Sequence, residues 1–126
     1  MADAVCRILV VEDEPLIRQL LQTALSGRGH TVDVTADGEE GLRQARQGGH
    51  DVLITDYRMP KMTGLQLIAA VRSSKLKIAT ILMSSNTLEE LALTARDLDG
   101  IQFLRKPFGI SELYASVQRA LKSPSR

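Results

Sequence analysis

Six polar residues stand out because each follows closely on a short apolar run. Glu12, Asp13 and Glu14 come after Ile8-Leu9-Val10-Val11, and Asp56 comes after Val52-Leu53-Ile54. Ser84 closes the run Ile78 to Met83, and Lys106 comes just after Ile101 to Leu104. Carboxylates brought together repel one another unless a cation sits among them. Oxygen ligands with no Cys or suitably placed His point to a hard ion, and a small open cluster suits Mg²⁺, which keeps several of its waters. No Ser-His or Cys-His arrangement falls after these runs, so the candidate nucleophile is a carboxylate. Carboxylates attack phosphorus to form aspartyl phosphates. Lys106 would then neutralise the transferred group, Ser84 would hydrogen-bond it and Mg²⁺ would bridge it. On this reading the ammonium has no role until a phosphoryl group arrives.

These residues meet only if the runs are neighbouring strands. Including Val32-Asp33-Val34, the apolar runs number five, and three are nearly continuous, as in strands covered on both faces. Helical spacing separates them: Leu16, Leu20, Leu21, Ala24 and Leu25 form one apolar stripe, Leu65, Ile68 and Val71 a second, and Leu113, Val117 and Leu121 a third. Asp37-x-x-Glu40, Thr63-x-x-Gln66 and Thr87-x-x-Glu90 read as capping boxes or close variants, and Pro15 suits a first helical turn. Gly27 and Gly29 would end the first helix, and Gly48-Gly49 the second. Five strand-then-helix units predict a parallel sheet with helices on both faces, including a helix from about Thr87 to Asp97. In such sheets ligands sit beyond the carboxyl ends of the strands, where these polar residues fall. Thr35, at the end of the second strand, lies to one side. His30 and His50 precede the second and third strands, at the opposite end, and read as solvated turn residues.

The chain of 126 residues suits one domain with its own core, and 44% hydrophobic and 25% charged residues are ordinary for a globular chain. A net charge of +1 gives no electrostatic case for nucleic acid or a membrane surface, and two Tyr, two Phe and no Trp offer little for stacking bases. A single cysteine, Cys6, excludes an internal disulfide and reads as a packing residue. The N-terminal apolar stretch is too short for a signal peptide, and no run approaches membrane-spanning length, so the expected location is cytoplasmic. The expected domain is 1–122, with 123–126 a short tail or the stub of a linker.

The blocks "ILVVEDEP", "LITDYRMPKMTG", "ILMSSN" and "FLRKPF" resemble the four signature blocks of the response-regulator receiver family. The resemblance runs from Arg7 to about Leu121, with each block in order at the end of an expected strand. It implies a doubly wound, five-stranded, flavodoxin-like sheet of order 2-1-3-4-5. Carried over by position, it makes Asp56 the phosphoacceptor. Asp13, Asp56 and the backbone carbonyl of Arg58 would hold Mg²⁺, with Glu12 acting through a water. Ser84 takes the place of the switch hydroxyl, Lys106 that of the phosphate-binding lysine and Phe103 that of the switch aromatic. Arg58 and Asn86 stand at positions that tune aspartyl-phosphate lifetime. The family expects the Lys106-Pro107 bond to be cis. The implied donor is a histidine kinase or histidine phosphotransfer protein. The implied output is a downstream protein or a self-dimer formed through the helix before the fifth strand, that strand and the last helix.

Plainer roles stand beside these. Asp13 and Asp56 could cap helices, Lys106 could be a solvated surface residue, Ser84 could be an N-cap and Phe103 a core aromatic. Tyr57, Met59, Met62 and Met83 read as packing residues. Two positions depart from the commoner pattern. Ser85 replaces a smaller residue after the switch hydroxyl, and Arg58 puts a long cation at the mouth of the site. A receiver portion of a larger protein, such as a DNA-binding regulator or hybrid kinase, is the alternative to a stand-alone switch. Ile101 and Gln102 stand where many winged-helix regulators of the family carry an acidic pair. A phosphatase of the haloacid-dehalogenase type needs a second Asp two residues after the nucleophile, where Arg58 stands. A degenerate receiver used only for binding would not need a complete site.

Overall fold

A computed structural model describes residues 3–122; the tail expected at 123–126 lies outside the described residues. Five strands, β1 (Arg7–Val11), β2 (Thr31–Thr35), β3 (Val52–Asp56), β4 (Ala79–Ser84) and β5 (Ile101–Arg105), form one parallel sheet of order β2-β1-β3-β4-β5. Four helices accompany it: α1 (Pro15–Gly27), α2 (Gly38–Gln47), α3 (Gly64–Ser73) and α4 (Ile110–Lys122). The expected order and the expectation of helices on both faces are met.

The continuous apolar runs mark strands buried on both sides. All five residues of β3 are buried, and successive side chains feed different cores. Ile8, Val10, Ile54, Ile81 and Met83 pack with Leu21, Leu25, Leu113 and Val117, from α1 and α4. Leu9, Val11, Leu53 and Leu82 pack on the other face with Ala45, Leu67, Ile68 and Val71, from α2 and α3. Asp37 caps α2 through Glu40 N–H, and Thr63 with Gln66 makes a full capping box on α3. Gly29 and Gly48 both have positive φ where the chain leaves a helix. Register then sets the working edge. Val11 pairs with Thr35 and Thr55, Asp56 with Met83, and Ser84 with Arg105, so all five strands end nearly level. Asp56 is the last residue of β3 rather than the first beyond it. Among the described residues, no helix is long and apolar enough to cross a membrane.

The helix expected from Thr87 to Asp97 is absent; that crossover is two capped turns. Thr87 and Glu90 exchange cap bonds of 3.1 and 2.8 Å, as the capping box requires. The turn then stops at Ala92, whose φ is 56°, closed by Ala92 N–H to Glu89 O and Leu93 N–H to Leu88 O. A second cap begins at once, with Thr94 N–H on Asp97 Oδ2 at 2.8 Å. Side-chain caps compete with helix continuation, and Thr94 supplies one mid-segment. The break also turns Leu93 and Leu98 onto the core beside Ile101 and Phe103. The surface on which an output helix is expected is therefore built from turns, β5 and α4.

Two further expectations are corrected. Leu16 and Leu20 are 75% and 54% exposed; the buried stripe of α1 runs through Leu21 and Leu25, with Ile17 and Ala24 half-buried. His30 and His50 are buried rather than solvated. His50 Nε2 lies 2.8 Å from Asp33 Oδ2, which also accepts from Arg7. His30 Nδ1 accepts from the Cys6 amide at 3.1 Å, so the ring is neutral there. Burial, followed by the Arg28 charge, lowers the His30 pKa against the opposing pull of Asp3. Cys6 is half-buried, and burial with the Asp51 charge pushes its thiol up to about 11, in keeping with a packing role.

Ala92→Gly distinguishes a divided crossover from a continuous helix by sign. Relief of the left-handed alanine should raise stability by about 1 kcal/mol, read as a higher denaturant midpoint. A mid-helix glycine would instead lower it by about 1 kcal/mol. His30 generates a pH prediction. Because its folded pKa is depressed, its contribution is present above about pH 6.5 and is lost as pH falls through the folded value. The stability gap between the parent and His30→Asn should narrow from pH 7.5 to pH 5.5; a constant gap would contradict the assignment.

Candidate functional site

The level strand ends bring Glu12, Asp13, Asp56, Ser84 and Lys106 around one cavity of about 180 Å³, which Glu14, Arg58, Ser85 and Asn86 also line. Phe103 is not among them. It sits half-buried on β5 beside Leu82, packed against the core face formed by α2 and α3. Thr35 is likewise not among the lining residues.

Each chemical group is held by its element. Glu12 directly follows β1, is 1% exposed and accepts from Glu14 N–H at 3.2 Å. Asp56 is fixed by the backbone beneath it: Tyr57 N–H donates to Met83 O, and Gly64 N–H to Tyr57 O. A Cβ at Gly64 would overlap the Asp56 carbonyl oxygen, so only glycine lets α3 start this close to β3. Lys106 N–H donates to Ser84 O at 2.8 Å, and the Lys106-Pro107 bond is cis, as expected.

The side chains form a compact ion cluster. Lys106 Nζ donates to Glu12 Oε1 at 2.6 Å and lies 3.1 Å from Asp56 Oδ1. Burial would lower the Lys106 pKa, but the Glu12 hydrogen bond and the Asp56 and Glu12 charges outweigh it and raise it. Burial raises the Glu12 and Asp56 pKa values, against the pull of Lys106; Asp13 pushes Asp56 further up and Asp56 does the same to Glu12. At 2.6 Å from Glu12 the ammonium supplies positive charge beside two buried carboxylates, and its own upward shift follows from that pairing. The expectation that Lys106 is idle before phosphorylation is thus corrected: it offsets part of the cluster's negative charge from the start.

One oxygen each of Glu12, Asp13 and Asp56 lies within 4.8 Å of the others, with no sulfur or imidazole among them. That donor set fits a hard divalent cation such as Mg²⁺. Asp13 is the exposed member of the set, open to solvent.

Several participants were not singled out from sequence. Arg18 donates through Nη1 to the Glu12 carbonyl at 2.7 Å, securing the turn after β1. Its place one turn into α1, just after the acidic triplet, was the available signal. Gly64 has the signal of a glycine directly after the N-cap Thr63. The Ser84 hydroxyl accepts from Asn86 N–H at 3.0 Å within one turn of chain, and Asn86 Oδ1 accepts from Arg58 Nε at 3.1 Å; no local spacing reveals the second bond, between residues 28 apart.

Comparison with known proteins bears on this geometry. A family model described as "Response regulator receiver domain" matches residues 8–118. The chain is 31% identical over 119 residues to the transcriptional regulatory protein DltR of Streptococcus agalactiae, covering 94% of this chain and 53% of that protein. It thus spans about half the length of that curated relative. The Vibrio cholerae chemotaxis protein CheY4 superposes with a TM-score of 0.83 at 32% identity, covering 94% of this chain and 100% of that one. The Thermotoga maritima response regulator TrrA, solved in complex with Mg(2+)-BeF, gives a TM-score of 0.81 at 34% identity, covering 92% and 99%.

Lys106→Met tests the ion cluster. Leaving two buried carboxylates without their ammonium should cost about 3–5 kcal/mol. Added Mg²⁺ should restore part of the loss, because the ion no longer competes with a cation already in the cluster. The Mg²⁺-induced rise in melting temperature should be larger in the variant than in the parent. An equal or smaller rise would contradict the role assigned to Lys106.

Proposed function

The chain belongs to the response-regulator receiver family of two-component signalling, and on that premise we propose that it accepts a phosphoryl group on Asp56. The observation that carries this reading is the position of Asp56: at the end of β3, within the acidic cluster and 3.1 Å from Lys106 Nζ. The donor is a phosphohistidine of a histidine kinase or histidine phosphotransfer protein. An Asp56 carboxylate oxygen bonds to phosphorus while the phosphorus–nitrogen bond of the donor breaks, its electron pair staying on the imidazole.

This chain's own residues prepare that step. Burial favours the protonated carboxyl at Asp56, and the Lys106 ammonium favours the carboxylate the attack needs. As charge moves onto the phosphoryl oxygens, Lys106 is close enough to Asp56 to follow it. Asp13, Asp56 and the Arg58 backbone carbonyl would hold Mg²⁺, with Glu12 acting through a water, and the ion would supply charge shielding at the transferring group. The Mg(2+)-BeF complex named for TrrA supports this choice of ion. An apolar groove of about 530 Å³ lies alongside, lined by Ile17, Leu20, Pro107 and Phe108 as well as Lys106. It gives the donor protein a place to rest, and it accounts for the outward-facing Leu20.

Output follows from the element the phosphoryl group biases. Ser84 turns toward the new oxygens, Phe103 on β5 adjusts, and the surface formed by the capped turns, β5 and α4 engages a downstream protein or a second copy. A second reading, that this is the receiver portion of a larger regulator, is favoured by one observation: the chain spans 53% of DltR. The two readings share the same site chemistry.

Acetyl phosphate with Mg²⁺ should add one phosphoryl group to the parent protein, seen by intact mass, and Asp56→Asn should abolish it. Equal labelling of the variant would overturn the assignment.

A further inference from the structure

The chain enters α1 differently from its capped elements. Asp37, Thr63 and Thr87 each hold a backbone N–H of the turn they open, from Glu40, Gln66 and Glu90. Glu14, the N-cap of α1, makes no such side-chain bond, and Pro15 at the start of the helix has no N–H to be capped. Arg18 acts in place of a cap. Helical side chains lean toward the N-terminus of their helix, and Arg18 reaches back past Glu14 to donate to the Glu12 carbonyl at 2.7 Å. Among the described residues it makes no ion pair, although Glu14 lies one turn before it, the spacing at which opposite charges meet. A half-buried guanidinium bonded to a neutral carbonyl rather than to a carboxylate needs a reason.

The reason lies in the plane of the peptide bond. The carbonyl carbon and oxygen of Glu12 share one plane with the nitrogen and Cα of Asp13, so a bond at that oxygen fixes the direction in which Asp13 leaves β1. The rest of Glu12 is fixed as well. Its N–H donates to Thr35 O at 3.1 Å, Oε2 accepts from Glu14 N–H at 3.2 Å, and Oε1 accepts from Lys106 at 2.6 Å. Asp13 is the opposite case. Among the described residues its carboxylate makes no hydrogen bond or ion pair, yet one of its oxygens lies within 4.8 Å of oxygens of Glu12 and Asp56. Carboxylates repel one another, so Asp13 would turn away if its backbone allowed. A second demand also pulls on it: Asp is among the favoured N-caps and Glu is not, and the start of α1 has no side-chain cap.

We propose that Arg18 is a positioning residue for metal binding: by holding the Glu12–Asp13 peptide plane from α1, it keeps the Asp13 carboxylate in the cluster and out of the cap of α1. The inference deepens the reading of Asp13 as a ligand of Mg²⁺ and rests on it. Charge and position give opposite signs. A guanidinium near an acidic site repels an incoming cation, so by charge alone its removal would tighten Mg²⁺ binding. By position, its removal releases Asp13 to cap α1, where Pro15 leaves Leu16 N–H as the donor three residues on, and Mg²⁺ binding weakens. Groups that hold a metal ligand in place typically set the affinity by about 10- to 100-fold.

Mg²⁺ affinity is measured by NMR titration of the folded protein, well below its melting temperature, for the parent, Arg18→Met, Asp13→Ala and the double variant. Arg18→Met should bind Mg²⁺ about ten-fold more weakly than the parent, although it has lost a positive charge. Arg18→Lys, which keeps a donor and the charge, should lie between them. In the Asp13→Ala background Arg18→Met should weaken binding no further, because Arg18 acts through Asp13. Equal or tighter binding in Arg18→Met, or losses that multiply in the double variant, would overturn the proposal. Should Arg18→Met fold poorly, Arg18→Lys carries the same cycle, with a smaller loss expected and no loss overturning it. Labelling of Asp56 by acetyl phosphate separates this proposal from the acceptor reading. In Arg18→Met it should be slow at low Mg²⁺ and return to the parent rate when Mg²⁺ saturates; a saturating rate that stays low would overturn a role confined to the metal. No labelling of the parent would overturn the acceptor reading and leave the Mg²⁺ result standing. A parent that binds no Mg²⁺ would overturn the metal reading and the role of Arg18 together.

Discussion

Three carboxylates are crowded at the ends of two neighbouring strands, one of them 1% exposed, and this arrangement needs positive charge close by. Burying an ionised carboxylate without a partner costs several kcal/mol. The fold meets that need from a distant point in the sequence. β5 delivers Lys106 across the sheet to a residue 94 positions earlier, at 2.6 Å. The parallel register makes this possible, because β1, β3, β4 and β5 end at one level. Gly64 serves the same geometry by letting α3 start against the backbone of Asp56. The cluster is consequently more than a vessel for an incoming ion. Its internal cation and an external one answer the same electrostatic demand, so any cation bound at the cluster would be thermodynamically linked to Lys106.

The crossover between β4 and β5 carries the other main consequence. Two capping boxes, at Thr87 and Thr94, each start a turn, and neither turn grows into a helix. Short elements held by exposed side-chain hydrogen bonds lie at the low-stability end of a fold. This segment begins next to Asn86, which touches both Ser84 and Arg58. The part of the chain nearest the site on that side is thus built from turns rather than a helix.

Much of this was legible from residue order alone. The continuous apolar runs gave the five strands, and the polar residues after them gave the rim, because strand ends and chemistry coincide in parallel sheets. Asp13, Asp56, Ser84 and Lys106 fall together for that reason. The divided crossover was not legible: Thr87-x-x-Glu90 formed its capping box as read, but Thr94-x-x-Asp97 repeats the signal within the same stretch and competes with continuation. Leu16 and Leu20 fit a helical stripe by spacing, yet Ile17 shifts the buried face by a fraction of a turn and leaves both outside. His30 and His50 looked like turn residues because their partners, the Cys6 amide and Asp33, lie in other segments of the chain. Pairings between distant segments are what sequence pattern does not encode locally, and the Glu12–Lys106 ion pair is the clearest case.

The central claim is that Lys106 serves as the standing counter-ion of the carboxylate cluster before any phosphoryl group arrives. The most direct measurement is an NMR pH titration of the Lys106 side chain in protein without Mg²⁺, following its Cε and Nζ signals. Its pKa should lie above the ordinary lysine value of about 10.4 and fall back when Mg²⁺ is added. A Lys106 that titrates at or below the ordinary value, with no response to Mg²⁺, would contradict it.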